Sequence, residues 1–282
     1  MEDKIAALIS ERAPWLYDRR AALPRRLIER LLCYDRTVKL ATRFQSATSS
    51  QIMETMGRHL SRDVTVHGLG HIPHHGPALI VANHPTGIAD GIILHRLLAG
   101  SRPDTYFFAN SDILRVLPQM SDMIAPVEWR RDRRCHGKTR ETMAYVRDAT
   151  EAGRLGVIFP SGRLAKRRGL KLHERPWMAS AAMLARKFDL PVIPVHIQAR
   201  NSVLFYLFDL IHPTLRDVTL FHETLNKNRQ PFRIRVGEPI AARALPKNSE
   251  DGIAMLRKAT LALGEDAPAV SLVKATRPLL RG

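Results

Sequence analysis

Val81-Ala82-Asn83-His84-Pro85-Thr86-Gly87-Ile88-Ala89-Asp90-Gly91 sets one histidine and one aspartate into an otherwise apolar segment. Upstream, Pro77 to Val81 reads as a buried strand; downstream, Ile88 to Leu98 carries apolar residues at helical spacing. Pro85 and Gly87 block a continuous helix through the middle. His84 and Asp90 therefore belong to a strand–loop–helix corner. Six positions apart on one helix they would point to different faces, but on a loop the carboxylate can turn back and hold the imidazole. A carboxylate-oriented histidine at a strand's end is how a general base is built. The plain alternative is a satisfied loop histidine.

From Asp63 onward, strand and helix patterns alternate. Strands are predicted at Val64–His67, Ala78–Val81, Thr105–Phe108, Ile124–Val127, Leu155–Phe159, Val192–Gln198, Val218–Phe221 and Phe232–Val236. Helices are predicted at Ile88–Leu98, Ile113–Leu117, Lys138–Ala152, Ala179–Phe188 and Ile253–Leu263. Alternation of this kind argues for an α/β sheet with helices on its faces. It would bring the strand ends at His84 and Phe159 to one edge of that sheet.

Residues 1–62 read as a separate helical region ahead of the domain at 63–282. Leu27, Ile28, Leu31 and Leu32 make one apolar face flanked by Arg25, Arg26 and Arg30; Ile52, Met53, Met56 and Leu60 make a second. Pro14 and Pro24 break the region into short pieces. Basic amphipathic helices can lie on anionic lipid or pack on the sheet domain, the plainer of the two readings.

The chain has 282 residues, of which 45% are hydrophobic, enough for a full core. Its net charge is +17, so an anionic partner is expected: nucleic acid, an acidic bilayer or a polyanionic substrate. Cys33 and Cys135 are the only cysteines, which suits a reducing cytoplasm and gives no metal spacing. The start lacks a signal-peptide pattern. No run reaches the roughly 20 apolar residues of a membrane span. The most apolar stretch, Val203 to Ile211, contains Asp209 and reads as a core helix, as a wall of an acyl-chain pocket or as a patch dipping into lipid.

The corner resembles the signature of the glycerolipid acyltransferases, which is Asn-His, four residues, then Asp. Here five residues intervene, Pro85 to Ala89, a spacing similar to the hemolysin-like and lyso-ornithine-lipid acyltransferase-like branch. Ile158-Phe159-Pro160-Ser161-Gly162-Arg163 resembles the family's Phe-Pro-Glu-Gly-Thr-Arg block. Ser161 stands in place of the family's Glu, and Arg163 comes one place early. Pro191-Val192-Ile193-Pro194-Val195 resembles the family's Val-Pro-Ile-Val-Pro strand. Weaker echoes are Ala125 to Arg130 and Ile234 to Ile240. Taken in order, these segments run from about Val64 to Ile240.

The resemblance implies a mixed, largely parallel central sheet flanked by helices, with an N-terminal helical region often placed at the membrane. It implies direct acyl transfer from acyl-CoA or acyl carrier protein to a hydroxyl of a lysolipid. His84 would be the base and Asp90 its orienting partner, with no metal or redox cofactor. Asn83, Thr86, Gly87, Arg130, Phe159, Pro160, Ser161, Gly162 and Arg163 would bind substrate, and backbone N–H groups around Gly162 are candidates for the oxyanion. Arg163 can make a forked contact with a phosphate or carboxylate. The implied location is cytoplasmic, peripheral on the inner face of the membrane.

Two basic clusters flank this chemistry: Arg130, Arg131, Arg133, Arg134, Lys138 and Arg140, then Arg163, Lys166, Arg167, Arg168, Lys171 and Arg175. They suit CoA phosphates, an acidic carrier protein or lipid head groups; the bland reading is a solvated face. His67, His71, His74 and His75 have no accompanying carboxylate or cysteine and read as loop histidines rather than a metal site. Against nucleic acid stand 6% aromatic residues and the absence of any nucleic-acid motif. A non-catalytic lipid-binding module and a thioester hydrolase remain as alternatives.

Overall fold

The computed structural model describes residues 1–18, 22–128 and 136–264. Arg130, Arg131, Arg133 and Arg134 lie outside the described residues, as do the side chains of Leu27 and Leu31. The architecture is α/β, built on a seven-stranded sheet. Its strands are β1 (Val64–His67), β2 (Ala78–Ala82), β3 (Tyr106–Asn110), β4 (Ile124–Val127), β5 (Leu155–Ile158), β8 (Val192–Gln198) and β9 (Phe232–Val236). A separate two-stranded hairpin is formed by β6 (Lys166–Arg168) and β7 (Lys171–His173). The order across the large sheet is β1-β9-β8-β2-β5-β3-β4. Every pairing is parallel except β8 with β9.

Helices cover both faces, which is what a parallel sheet requires. α4 (Ser49–Leu60) and α5 (Ile88–Leu98) close one face; α7 (His136–Glu151), α8 (Ser180–Lys187) and α11 (Ser249–Ala262) close the other. Strand β2 feeds both cores. Ala78, Ile80 and Ala82 join the first, and Leu79 and Val81 the second. The apolar set Ile52, Met53, Met56 and Leu60 on α4 is buried in the first core. That helix opens with a capping box: Thr48 Oγ1 accepts the Gln51 N–H at 3.3 Å, and Gln51 Oε1 accepts the Thr48 N–H at 2.9 Å.

The remaining helices are α1 (Glu2–Arg12), α2 (Ala22–Leu31), α3 (Tyr34–Arg43), α6 (Asp112–Val116), α9 (Val203–Ile211) and α10 (Pro213–Asn226). A third core joins Ile5, Ile9, Leu16 and Leu32 to Val218 of α10. The stretch Val218–Phe221 is thus helical, not a strand. Val218 packs against the N-terminal helices, while Leu220 packs toward β7 and α9. A helix wedged between two apolar partners loses its single-face periodicity and reads like a short buried strand. The hairpin β6–β7 lay hidden for the opposite reason. Its residues are charged and mostly exposed, and only Leu172 is buried. Gly169, at φ 59°, takes the left-handed turn between its strands.

Among the described residues, no helix is long and apolar enough to cross a membrane, and no cluster of three metal-ligating side chains forms.

Candidate active site

Strands β2 and β5 are neighbours, yet the chain leaves them in opposite directions. After β2 it crosses to β3, beyond β5; after β5 it returns past β2 to β8. The carboxyl ends of two such strands frame the usual ligand crevice of an open α/β sheet. His84 follows β2 and Phe159 follows β5.

Asn83 ends β2. Its Nδ2 donates to Ile197 O at 2.9 Å, and its Oδ1 accepts the Ile197 N–H at 2.7 Å. The side-chain amide thus imitates a peptide group and extends the β2–β8 ladder past the end of the strand, while the main chain turns away. Both of its polar ends are used by β8, and the residue is buried.

The main chain then passes through Pro85, Thr86 and Gly87 into α5. Gly87 has φ 99°, a conformation that disfavours side chains, and a Cβ there would stand 3.1 Å from Leu164 Cδ2. Asp90 lies in the first turn of α5 and reaches back over the loop. Its Oδ2 is 3.0 Å from His84 Nδ1 and accepts the N–H groups of Thr86 at 2.9 Å and Gly87 at 3.0 Å. Its Oδ1 accepts the Thr86 hydroxyl at 2.5 Å. The carboxylate is fully buried at a helix N-terminus, and His84 is 19% exposed. A carboxylate at Nδ1 selects the tautomer protonated there and leaves Nε2 as the basic nitrogen. Among the described residues no hydrogen bond reaches Nε2.

Phe159 stacks on the imidazole with ring centroids 4.2 Å apart and planes at 24°. Pro160 and Ser161 follow, both buried. Gly162, at φ 60°, closes a turn by donating its N–H to Phe159 O at 2.9 Å, so that N–H is not free for an oxyanion. The Ser161 hydroxyl donates to Arg163 O at 2.7 Å. Arg163 is exposed, and its guanidinium has no partner among the described residues. Two residues on, the Ala165 N–H donates to His84 O at 2.9 Å, tying this turn to the histidine.

Sequence reasoning missed Glu174, in the connection from β7 to α8. Its Oε2 accepts the His84 main-chain N–H at 3.2 Å, and its Oε1 accepts the Trp177 indole N–H at 3.0 Å. Burial pushes this carboxyl above its ordinary pKa, against the pull of hydrogen bonds from Trp177 and His84. One signal was present: Glu174 is the sole acid between Glu151 and Asp189.

Beside the turn lies a groove of about 1040 Å³, lined mainly by apolar side chains including Phe108, Met143, Ile158, Phe159, Trp177 and Met183. The ion pair Lys138–Glu128, 2.6 Å, and the charged Arg186, Lys187 and Glu250 also line it. Phe159 thus touches both the groove and the imidazole. Arg130, expected among the binding residues, falls outside the described residues.

Residues 63–198 match the protein family described as Acyltransferase, which supports the resemblance to the glycerolipid acyltransferases. The matched segment is an acyltransferase domain. Among curated proteins the chain is similar to the lyso-glycine lipid O-acyltransferase of Phocaeicola vulgatus, with 23% identity over 67% of this chain and 68% of that one. It is also similar to the enzyme of the same name from Bacteroides thetaiotaomicron, with 22% identity over 70% and 72%. Among solved structures, that of the 1-acyl-sn-glycerophosphate acyltransferase PlsC from Thermotoga maritima aligns with TM-score 0.49 and 13% identity, over 93% of this chain and 96% of that one.

Proposed function

We propose that this protein transfers a fatty acyl chain from an acyl thioester, acyl-CoA or acyl carrier protein, to a hydroxyl of a lysolipid. The observation that carries this reading is the buried Asp90 carboxylate holding His84 Nδ1 at 3.0 Å at a strand end. His84 Nε2 takes the proton of the acceptor hydroxyl as its oxygen attacks the thioester carbonyl. The tetrahedral adduct collapses, the carbon–sulfur bond breaks, and the thiolate leaves or takes the proton back from the imidazolium. Asp90 stabilises that imidazolium. Direct transfer needs no enzyme nucleophile.

The apolar groove beside Phe159 supports a place for the acyl chain, and Lys187 in its lining suits an anionic donor. Arg163, exposed just after the Phe159–Gly162 turn, suits the anionic head of the acceptor. The relatives' names point to an acceptor of the lyso-glycine lipid kind. A peripheral place on the anionic, cytoplasmic face of a membrane accords with the net charge of +17. It accords equally with the exposed apolar residues Trp15, Leu170, Leu207, Leu210 and Ile211.

The test is release of free thiol from acyl-CoA by the purified protein, with and without lyso-glycine lipid. Acceptor-dependent release with formation of the diacyl lipid is expected. Acceptor-independent release would make the protein a hydrolase, and tight lipid binding without turnover a binding module.

A further inference from the structure

His84 is held at four points. Asp90 holds its ring nitrogen, Phe159 its ring face, Ala165 its carbonyl and Glu174 its main-chain N–H. Three of these holds act on the ring or come from a main-chain group. The fourth is a charged-type side chain from a stretch 90 residues away, held mostly out of water. Burying a carboxyl is costly unless each oxygen finds a donor. Here Oε2 has the His84 amide and Oε1 the Trp177 indole, with Ser161 close beside the carboxyl. Ser161 is the position at which the Phe-Pro-Glu-Gly-Thr-Arg pattern carries its own carboxylate.

We infer that Glu174 is a positioning residue for His84: its carboxyl fixes the histidine main chain from outside the loop and occupies, from the hairpin's far end, the place a carboxylate at position 161 would fill. This rests on the reading of His84 as the base. Asp90 sets the direction of the ring relative to its own main chain, and Glu174 sets where that main chain lies. Misplacing a catalytic group by about 1 Å can cost on the order of 100-fold in rate, so both holds matter to turnover. The hairpin β6–β7 also gains a role. It carries the chain from Arg163 out and back, so that Glu174 arrives beside Ser161.

The experiment compares Glu174→Ala, Glu174→Gln and the double variant Ser161→Glu/Glu174→Ala in the full chain, assayed with palmitoyl-CoA and lyso-glycine lipid. Arg257→Ala serves as a control, because Arg257 hydrogen-bonds to the Glu174 main-chain oxygen, at 3.4 Å, and not to its carboxyl. Glu174→Ala should lower kcat by about 10- to 100-fold with both KM values little changed. Glu174→Gln, which keeps one acceptor oxygen, should fall between it and the parent. Arg257→Ala should match the parent, and the double variant should regain at least about fivefold over Glu174→Ala. A readout independent of turnover is hydrogen exchange at the His84 amide, which should quicken about tenfold or more in Glu174→Ala while the amides of Ile92 to Leu98 stay protected. Unchanged kcat, a loss confined to KM, or unchanged exchange at His84 would overturn the inference; no recovery in the double variant would overturn the exchange of position 161 for 174. Measured alongside, His84→Ala separates the two readings. An active His84→Ala sinks the dyad itself, whereas an inactive His84→Ala with a normal Glu174→Ala sinks only the positioning role.

Discussion

Residues 81–91 and residues 159–177 both build the proposed site, but by different means. The first region is local: a strand end, a loop and a helix start bring Asp90 back to His84 across six positions of sequence. Its side-chain hydrogen bonds run between residues at most six apart, except for Asn83 reaching to β8 and Glu174 reaching the His84 main chain. The second region is assembled. A turn, a charged hairpin and a return segment meet at His84 through Ala165 and Glu174. The difference teaches that chemistry held by neighbours in sequence can be read from the sequence, while chemistry held across an insertion cannot.

The largest expected effect tests the local region. His84→Ala should lower kcat/KM by about 100- to 10,000-fold, the usual weight of a general base. Asp90→Asn should cost less but still a large factor, since an amide no longer selects the Nδ1–H tautomer. Circular dichroism should show both variants folded, although Asp90→Asn also disturbs the Thr86 and Gly87 contacts. Near-normal turnover by His84→Ala with purified substrates would remove the dyad from the mechanism and with it the local half of the comparison.

Next comes a charge buried behind both regions. Lys227 is fully buried, and its Nζ donates to Glu223 Oε2 at 2.6 Å, Asn201 Oδ1 at 2.5 Å and Arg200 O at 3.0 Å. Burial draws the ammonium below its ordinary pKa, while Glu223 and Asp90 pull it back up. Glu223 in turn accepts the N–H and hydroxyl of Ser202, the N-cap of α9. Lys227→Met should therefore destabilise the protein by roughly 3–5 kcal/mol, because it strands a buried carboxylate. Urea unfolding measures it. Lys227→Met/Glu223→Gln should recover part of the loss; a double variant no better than the single would mean the pair is not what Lys227 serves.

How much was legible follows the same division. The sheet strands β1, β4, β8 and β9 have the predicted limits because each is a short apolar or alternating run bounded by turn residues. The corner from Val81 to Asp90 was legible because Pro85 and Gly87 leave the chain no other course. Val218 and its neighbours misled because α10 is apolar toward two partners at once. The hairpin was unreadable because charge, not hydrophobicity, dominates it, and its one buried anchor, Leu172, meets Phe205 and Tyr206 from 33 and 34 positions away. Glu174 was visible only as a lone acid, with nothing in the sequence to say what it faced.

Arg163 sharpens the comparison from the assembled side. Its guanidinium is exposed and unpartnered among the described residues, at the foot of the hairpin. Arg163→Ala should raise the acceptor's KM by about tenfold or more, a loss of roughly 1.5–3 kcal/mol for charge-assisted hydrogen bonds. Arg163→Lys should recover only part, since the forked contact is gone. The donor's KM should hold steady. Equal, small, salt-sensitive effects from Arg163→Ala and Arg167→Ala would reduce Arg163 to one more solvated charge.

The smallest effect per residue concerns the hairpin's outer surface. Lys166, Arg168 and Lys171 are exposed there, and Leu170 at the turn is 63% exposed. Near an anionic bilayer each cation contributes about 1 kcal/mol, so replacing one by Ser should weaken vesicle binding about fivefold. The three together should act roughly additively, because the attraction is to a surface and not to one partner. Raising the salt should erase most of that difference by screening, while Leu170→Ser should weaken binding about equally at low and high salt, since burying an apolar side chain does not depend on ionic strength. Sedimentation with phosphatidylglycerol and with phosphatidylcholine vesicles reads both. Equal binding to the two lipids, indifferent to salt, would assign the docking to the apolar residues of α9 and Trp15 alone. The hairpin would then be left with an inward task only, the delivery of Glu174.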